Sequence, residues 1–111
     1  MNYLEFKVKD NVYKLRLNTK ALIKLEKALG INPLYIFMNE ENKNLPTLEQ
    51  MVLVLNAALS CYHSDLTLDD TYDIFDEWLD DNHITGDFTS VIVELYILAG
   101  LFKKDANKGK N

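Results

Sequence analysis

The chain has 111 residues, 48% of them hydrophobic, with 12 Lys and Arg against 17 Asp and Glu for a net charge of −5. That balance predicts one globular domain and excludes an intrinsically disordered chain; no apolar run approaches the roughly 20 residues of a membrane span, and the alternating start Met1-Asn2-Tyr3-Leu4-Glu5-Phe6-Lys7 lacks a signal-peptide core. Residues 1–43 total +3, residues 44–102 carry eleven acids and no base, and residues 103–111 total +3; without a concentrated basic face, direct nucleic-acid binding is disfavoured.

Residues 2–17 read as a β-hairpin. Leu4, Phe6 and Val8 alternate with Tyr3, Glu5 and Lys7, and Tyr13, Leu15 and Leu17 alternate with Val12, Lys14 and Arg16. Asp10-Asn11 is a candidate two-residue turn. That loop pairs Val8 with Tyr13, Phe6 with Leu15 and Leu4 with Leu17, with Glu5 opposite Arg16 and Lys7 opposite Lys14. An isolated hairpin is marginal in water, so its apolar face must rest on helices.

The first helix is predicted over Thr19–Leu29, capped by Asn18 or Thr19, ended by Gly30, and buried through Ala21, Leu22, Leu25, Ala28 and Leu29. Ile31 is expected to fold back onto its end, while Lys20, Lys24 and Lys27 share the outer face. Asn32-Pro33 starts a short helix anchored by Leu34, Tyr35, Phe37 and Met38, and residues 39–46 form a loop. Thr47-Leu-Glu-Gln50 is a capping box opening a helix to about Tyr62, with Leu48, Met51, Val52, Leu55, Ala58, Leu59 and Tyr62 as its main stripe. Leu53, Val54, Ala57 and Cys61 make most of its remaining surface apolar as well, which predicts the central helix of the fold.

A second box, Thr67-Leu-Asp-Asp70, opens an acidic helix to about Asp81. Its inner stripe is Leu68, Thr71, Tyr72, Phe75, Trp78 and Leu79, and its outer face is Asp69, Asp73, Asp76, Glu77 and Asp80. Residues 81–86 form a turn, and Asp87 caps a last helix reaching about Lys103, with Phe88, Val91, Ile92, Leu95, Leu98, Ala99 and Phe102 facing inward. Val93, Tyr96, Ile97 and Leu101 lie off that stripe. Either the helix is buried on two sides, or these residues form an exposed apolar patch for self-association or a partner. The expected fold is α+β, mainly α: an N-terminal β-hairpin packed on a bundle of four to five helices, in one domain over residues 1–104, with residues 105–111 as a disordered tail.

Little in the chain points to catalysis. Cys61 stands alone in an apolar stretch, as a small core hydrophobe does in a reducing compartment. Residues 81–92 superficially match a calcium loop, but His83 and Thr85 replace oxygen donors and Ile92 stands where a bidentate Glu is needed. His63 and His83 lack an i, i+4 partner for zinc. Adjacent acids such as Asp69-Asp70 and Asp80-Asp81 do not face each other on a helix, and four glycines supply no phosphate-binding loop. The expectation is a cytoplasmic protein-binding domain that is not an enzyme and holds no metal or cofactor. Trp78 belongs at the edge of the core, and if half exposed it would be a binding hot spot.

The segment Tyr3-Leu-Glu-Phe-Lys-Val-Lys-Asp-Asn-Val-Tyr-Lys-Leu-Arg-Leu17 leads directly into Asn18-Thr-Lys-Ala-Leu-Ile-Lys-Leu-Glu-Lys-Ala-Leu-Gly30 and then Ile31-Asn-Pro-Leu34. This hairpin and helix, with its Leu-Glu-Lys-Ala-Leu-Gly ending, resembles the tail assembly chaperones of long-tailed bacteriophages. The helices that follow agree with that family in length and order, while the distinctive residues lie in the first 35. The resemblance implies a protein that coats the tape measure protein and keeps it soluble in the host cytoplasm until tail tube subunits assemble around it, without entering the mature virion. It also implies the tail tube protein and a longer frameshifted form of the chain as further partners, while the charge pattern and the apolar patch add a second copy and the lack of a long apolar run argues against a membrane.

On that reading the second face of the last helix, Val93, Tyr96, Ile97 and Leu101, supplies apolar contact area. The acidic helix, through Asp69, Asp73, Asp76 and Asp80 with Trp78 as a candidate anchor, steers basic stretches of the client. The alternative is an acidic inhibitor that mimics nucleic acid and blocks a DNA-binding protein. A third reading, an enzyme whose site is assembled from distant residues, calls for a deep polar pocket.

Overall fold

The computed structural model describes residues 2–103. Strands β1 (Leu4–Val8) and β2 (Asn11–Leu15) pair antiparallel and lead into helix α1 (Thr19–Leu29). Two short 3-10 helices, Pro33–Phe37 and Glu40–Asn42, precede α2 (Leu48–Leu59), α3 (Leu68–Asp80) and α4 (Thr85–Leu98). The predicted α+β, mainly α, class is the one observed. The disordered tail expected over 105–111 lies outside the described residues.

The hairpin keeps the predicted faces but not the predicted register. Leu4 pairs with Leu15, Glu5 with Lys14, Phe6 with Tyr13 and Lys7 with Val12, so the turn is Lys9-Asp10 and not Asp10-Asn11. A shift of two residues leaves each side chain on its original face, since the side-chain period is two. The observed register replaces a Lys7–Lys14 opposition with a Glu5–Lys14 one, which is electrostatically the better pair. Lys9 takes the left-handed conformation (φ 54°), and its N–H donates to Asp81 Oδ2 at 3.1 Å, so the end of α3 holds the turn. Phe6, Val8, Leu15 and Leu17 are all buried.

The hairpin's other strand is fastened to the end of α2. The Arg16 N–H donates to the Ala58 carbonyl at 3.1 Å, and the Lys14 N–H donates to His63 Nε2 at 3.0 Å. As predicted, α2 is the central helix: it packs against α1, α3, α4 and β2, and Met51, Val52, Val54, Leu55, Ala57, Ala58 and Leu59 are buried. It ends at Leu59, three residues before the predicted Tyr62. There the Ser60 hydroxyl donates to the Ala57 carbonyl and the chain turns, leaving Tyr62 exposed.

Caps set most helix starts. Asn18 Oδ1 accepts from the Ala21 N–H, Thr47 and Gln50 complete one capping box, and Thr67 and Asp70 complete another. Helix α4 begins two residues before the predicted Asp87 cap. Ile84 is the N-cap and has no side-chain acceptor, so only the return half of a box exists, from the Ile84 N–H to Asp87 Oδ2 at 3.0 Å. The other end of α4 stops at Leu98, well short of Lys103. Gly100 turns left-handed (φ 83°), its N–H donates to the Ile97 carbonyl, and the Leu101 N–H donates to the Tyr96 carbonyl at 2.8 Å, which is a Schellman motif.

Several core assignments change. Ala28, Ile31, Tyr35, Met38, Leu48, Leu68, Tyr72 and Leu98 are exposed, whereas Ile36 and Ile74 are buried. In the Pro33–Phe37 helix the tighter 3-10 winding points Pro33 and Ile36, three apart, into the core and leaves Tyr35 and Met38 outside. Thr71 is fully buried and satisfied: Asn56 Nδ2 donates to its hydroxyl at 3.0 Å, and that hydroxyl donates to the Thr67 carbonyl, linking α2 to α3.

Candidate protein-binding surface

The acidic face of α3 is built by its period. Thr71, Ile74, Phe75 and Trp78 turn inward, which forces Asp69, Asp73, Asp76 and Asp80, at i, i+4, i+7 and i+11, into one outward stripe with Glu77 beside it. All five are exposed carboxylates on a helix that carries no base. Asp70 is occupied by its capping box and Asp81 by Lys9.

Trp78 is not part of that surface. It is 4% exposed, stacks on Phe6 with ring centroids 5.5 Å apart, and meets Phe88 and Phe75 at 5.6 and 6.0 Å. His83 covers it, parallel at 4.2 Å, with Nδ1 2.9 Å from the Trp78 carbonyl oxygen. Trp78 therefore joins β1, α3 and α4 as a core residue, and a hot-spot role would need exposure it does not have.

The four residues of the second face of α4 divide. Tyr96 is 0% exposed, its hydroxyl donates to the Pro33 carbonyl at 2.9 Å, and its ring meets Phe37 edge-on at 5.8 Å. Burial holds its phenol well above the usual tyrosine range. Leu101, turned back by Gly100, packs against the core and borders a shallow apolar groove with Leu22, Ile23 and Pro33. Val93 and Ile97 are partly exposed. The helix is thus buried on two sides at Tyr96 and open to solvent along the line of Val93 and Ile97.

That line leads into a feature that sequence periodicity does not reveal. At 3.6 residues per turn Gly86, Thr89, Val93 and Ile97 fall within about 80° of one another on α4. Gly86 and Thr89 form one wall of a groove of about 410 Å³, and Leu45, Pro46, Leu48 and Met51 form much of the other. Leu45 and Leu48 are 49% and 56% exposed, and Ile84, just before the helix, is 68% exposed. Asn42 shapes the wall by donating from Nδ2 to the Leu45 and Pro46 carbonyls at 2.8 and 3.3 Å, with Lys43 and Asn44 left-handed beside it. Periodicity alone puts Leu48 in the core stripe and residues 39–46 in a plain loop. The signal that could have exposed the groove was Gly86, a helical residue with no side chain to fill the space.

A third cleft, at the start of α1, has a different character. Lys20, Lys24, Asn18, Ser60, Cys61 and Ser64 line it, and Asn18 Nδ2 lies 3.3 Å from Cys61 Sγ. Among the described residues its lining contains no carboxylate or imidazole to act as a base, and nearby His63 is taken up by Lys14. Among the described residues no group of three or more His, Cys, Asp or Glu side chains is placed to hold a metal ion, and no helix is long and apolar enough to cross a membrane.

One family model, described as "Family of unknown function (DUF6096)", matches residues 5–111. The chain belongs to that family. No curated protein and no solved structure matches it. The match contains nearly all of the hairpin, the whole acidic face and both walls of the groove, so these features sit inside the family's domain.

Proposed function

We propose that this chain is a tail assembly chaperone of a long-tailed bacteriophage, which binds the tape measure protein and keeps it soluble while the tail tube is built. The observation that carries the reading is the pairing of outward apolar residues with a one-signed surface. Leu45, Leu48, Ile84, Val93 and Ile97 face water in a stretch, residues 44–102, with eleven acids and no base. A long, partly hydrophobic helical client needs apolar area to cover its stripe and like-charged exteriors to keep the coated complex apart in solution. The hairpin running directly into the Asn18-capped α1 with its Gly30 stop supports the same reading.

The test is co-expression with the tape measure protein encoded near this chain's gene. The tape measure protein becomes soluble and co-purifies if the reading is right, and it stays insoluble if the reading is wrong. The exposed stripe Asp69, Asp73, Asp76 and Asp80 favours a second reading, a nucleic-acid mimic. In that case the chain binds a basic DNA-binding protein with steep salt dependence and leaves the tape measure protein insoluble.

A further inference from the structure

We infer that the groove between the residue 42–51 segment and the first turns of α4 is a docking site for an amphipathic helix whose apolar stripe is flanked by lysine or arginine. The inference takes only the client's identity from the chaperone reading; the chemistry of the occupant comes from the groove.

Three features define that occupant. The walls are apolar or neutral, with Leu45, Leu48 and Met51 facing Gly86 and Thr89, so the contacting stripe must itself be apolar. Beyond the groove, partly exposed Val93 and Ile97 carry the same side of α4 onward, and the twelve-residue run from Gly86 to Ile97 is about 16 Å long, which accommodates about three turns of a bound helix. Exposed Glu49, Asp87 and Glu94 stand on the two helices that border it, against a single lysine, Lys43, in the bordering loop. An acid-flanked helix would meet like charge on both sides, while a base-flanked one meets its complement. The missing side chain at Gly86 lets a partner approach the α4 backbone closely, as small residues do where helices cross.

Gly86 also supplies a variant that separates binding from folding. A Cβ placed there meets only Ile84 Cδ1, at 3.8 Å, and the residue lies in α4 without positive φ. Gly86→Leu therefore fills the groove while raising helix propensity. The probe is a synthetic Leu/Lys amphipathic peptide, with a Leu/Glu peptide of the same apolar stripe as control, followed by fluorescence anisotropy. The Leu/Lys peptide binds wild type roughly tenfold or more tighter than the Leu/Glu peptide, and Gly86→Leu and Leu48→Lys each weaken it roughly tenfold with no fall in melting temperature. Binding unchanged in both variants overturns the groove, and equal binding of the two peptides overturns its charge preference. A wild-type dimer dissolved by Leu48→Lys assigns the groove to a second copy and overturns the client. The chaperone reading fails separately. If the tape measure protein stays insoluble while peptide binding remains sensitive to Gly86→Leu, that reading falls and the groove stands. If both variants still solubilise it, the groove falls and the reading stands.

Discussion

The Tyr96 hydroxyl reaches the Pro33 carbonyl at 2.9 Å, tying the last turn of α4 to the short helix that follows α1 across 63 positions of sequence. The bond is buried, and the Phe37 and Phe102 rings pack on the same tyrosine. It explains why α4, apolar on more than one side, is core on two flanks in its second half.

Tyr96→Phe keeps the ring and strands the Pro33 carbonyl. The expected cost is about 1–3 kcal/mol, seen in urea unfolding as a lower midpoint with an unchanged slope. Tyr96→Ala, which also opens a cavity, is expected to cost about 3–5 kcal/mol.

Alkaline pH tests the same residue. Burial raises the Tyr96 phenol, and burial followed by the Glu77 charge raises Tyr13, both from an ordinary value of 10.0. The unfolded chain therefore releases these protons first as pH rises. The stability they contribute is fully present below about pH 10 and is lost as pH climbs from there through the folded-state values. Melting temperature followed against pH should fall above about pH 10, less steeply in Tyr96→Phe, with the Tyr13 share remaining.

Two glycines should respond with opposite sign. Gly100 is left-handed, and a methyl group added there would touch nothing, so Gly100→Ala costs about 1–2 kcal/mol from backbone strain alone. Gly86 is helical with room for a side chain, so Gly86→Ala stabilises by up to about 1 kcal/mol. Thermal melts of the two variants decide it.

Trp78, the only tryptophan, reports on the aromatic core. Its native emission should be blue-shifted and poorly quenched by acrylamide, moving red on unfolding. Trp78→Ala should cost about 3–5 kcal/mol. Strong native quenching would contradict the packed position between Phe6, Phe88 and His83.

Charge reversal of Asp73, Asp76 and Asp80 to Lys tests steering by α3. These side chains are exposed, so each change should leave stability within about 0.5 kcal/mol. If the chain is the proposed chaperone, its binding of the tape measure protein should weaken or lose salt sensitivity. Binding that is identical across salt removes the steering role.

The elements of this fold were legible where one signal decided them: Asn18 and Gly30 around α1, the two Thr boxes, and an α2 apolar nearly all round. The hairpin's faces were legible because they follow a period of two, and its register was not, because a two-residue shift preserves those faces and the turn is held by Asp81, 72 positions away. The end of α4 was not legible because apolar spacing runs on through Leu101 and Phe102, past the left-handed Gly100. Of the candidate surface, the acidic stripe was readable from helical spacing alone. The division of Val93 and Ile97 from Tyr96 was not, since it depends on where Pro33 and Phe37 come to rest.

A two-stranded sheet offers two flanks to which a foreign strand could add, and an assembly that grows at both becomes a fibre. Here the β2 flank is spent, with the Lys14 and Arg16 amides taken by His63 and Ala58. Strand addition is left with β1 alone, where the exposed charges of Glu5 and Lys7 oppose it. Strand pairing between copies is thereby hindered at one flank by bonds within the chain and at the other by charge, which works against growth of the sheet at both edges.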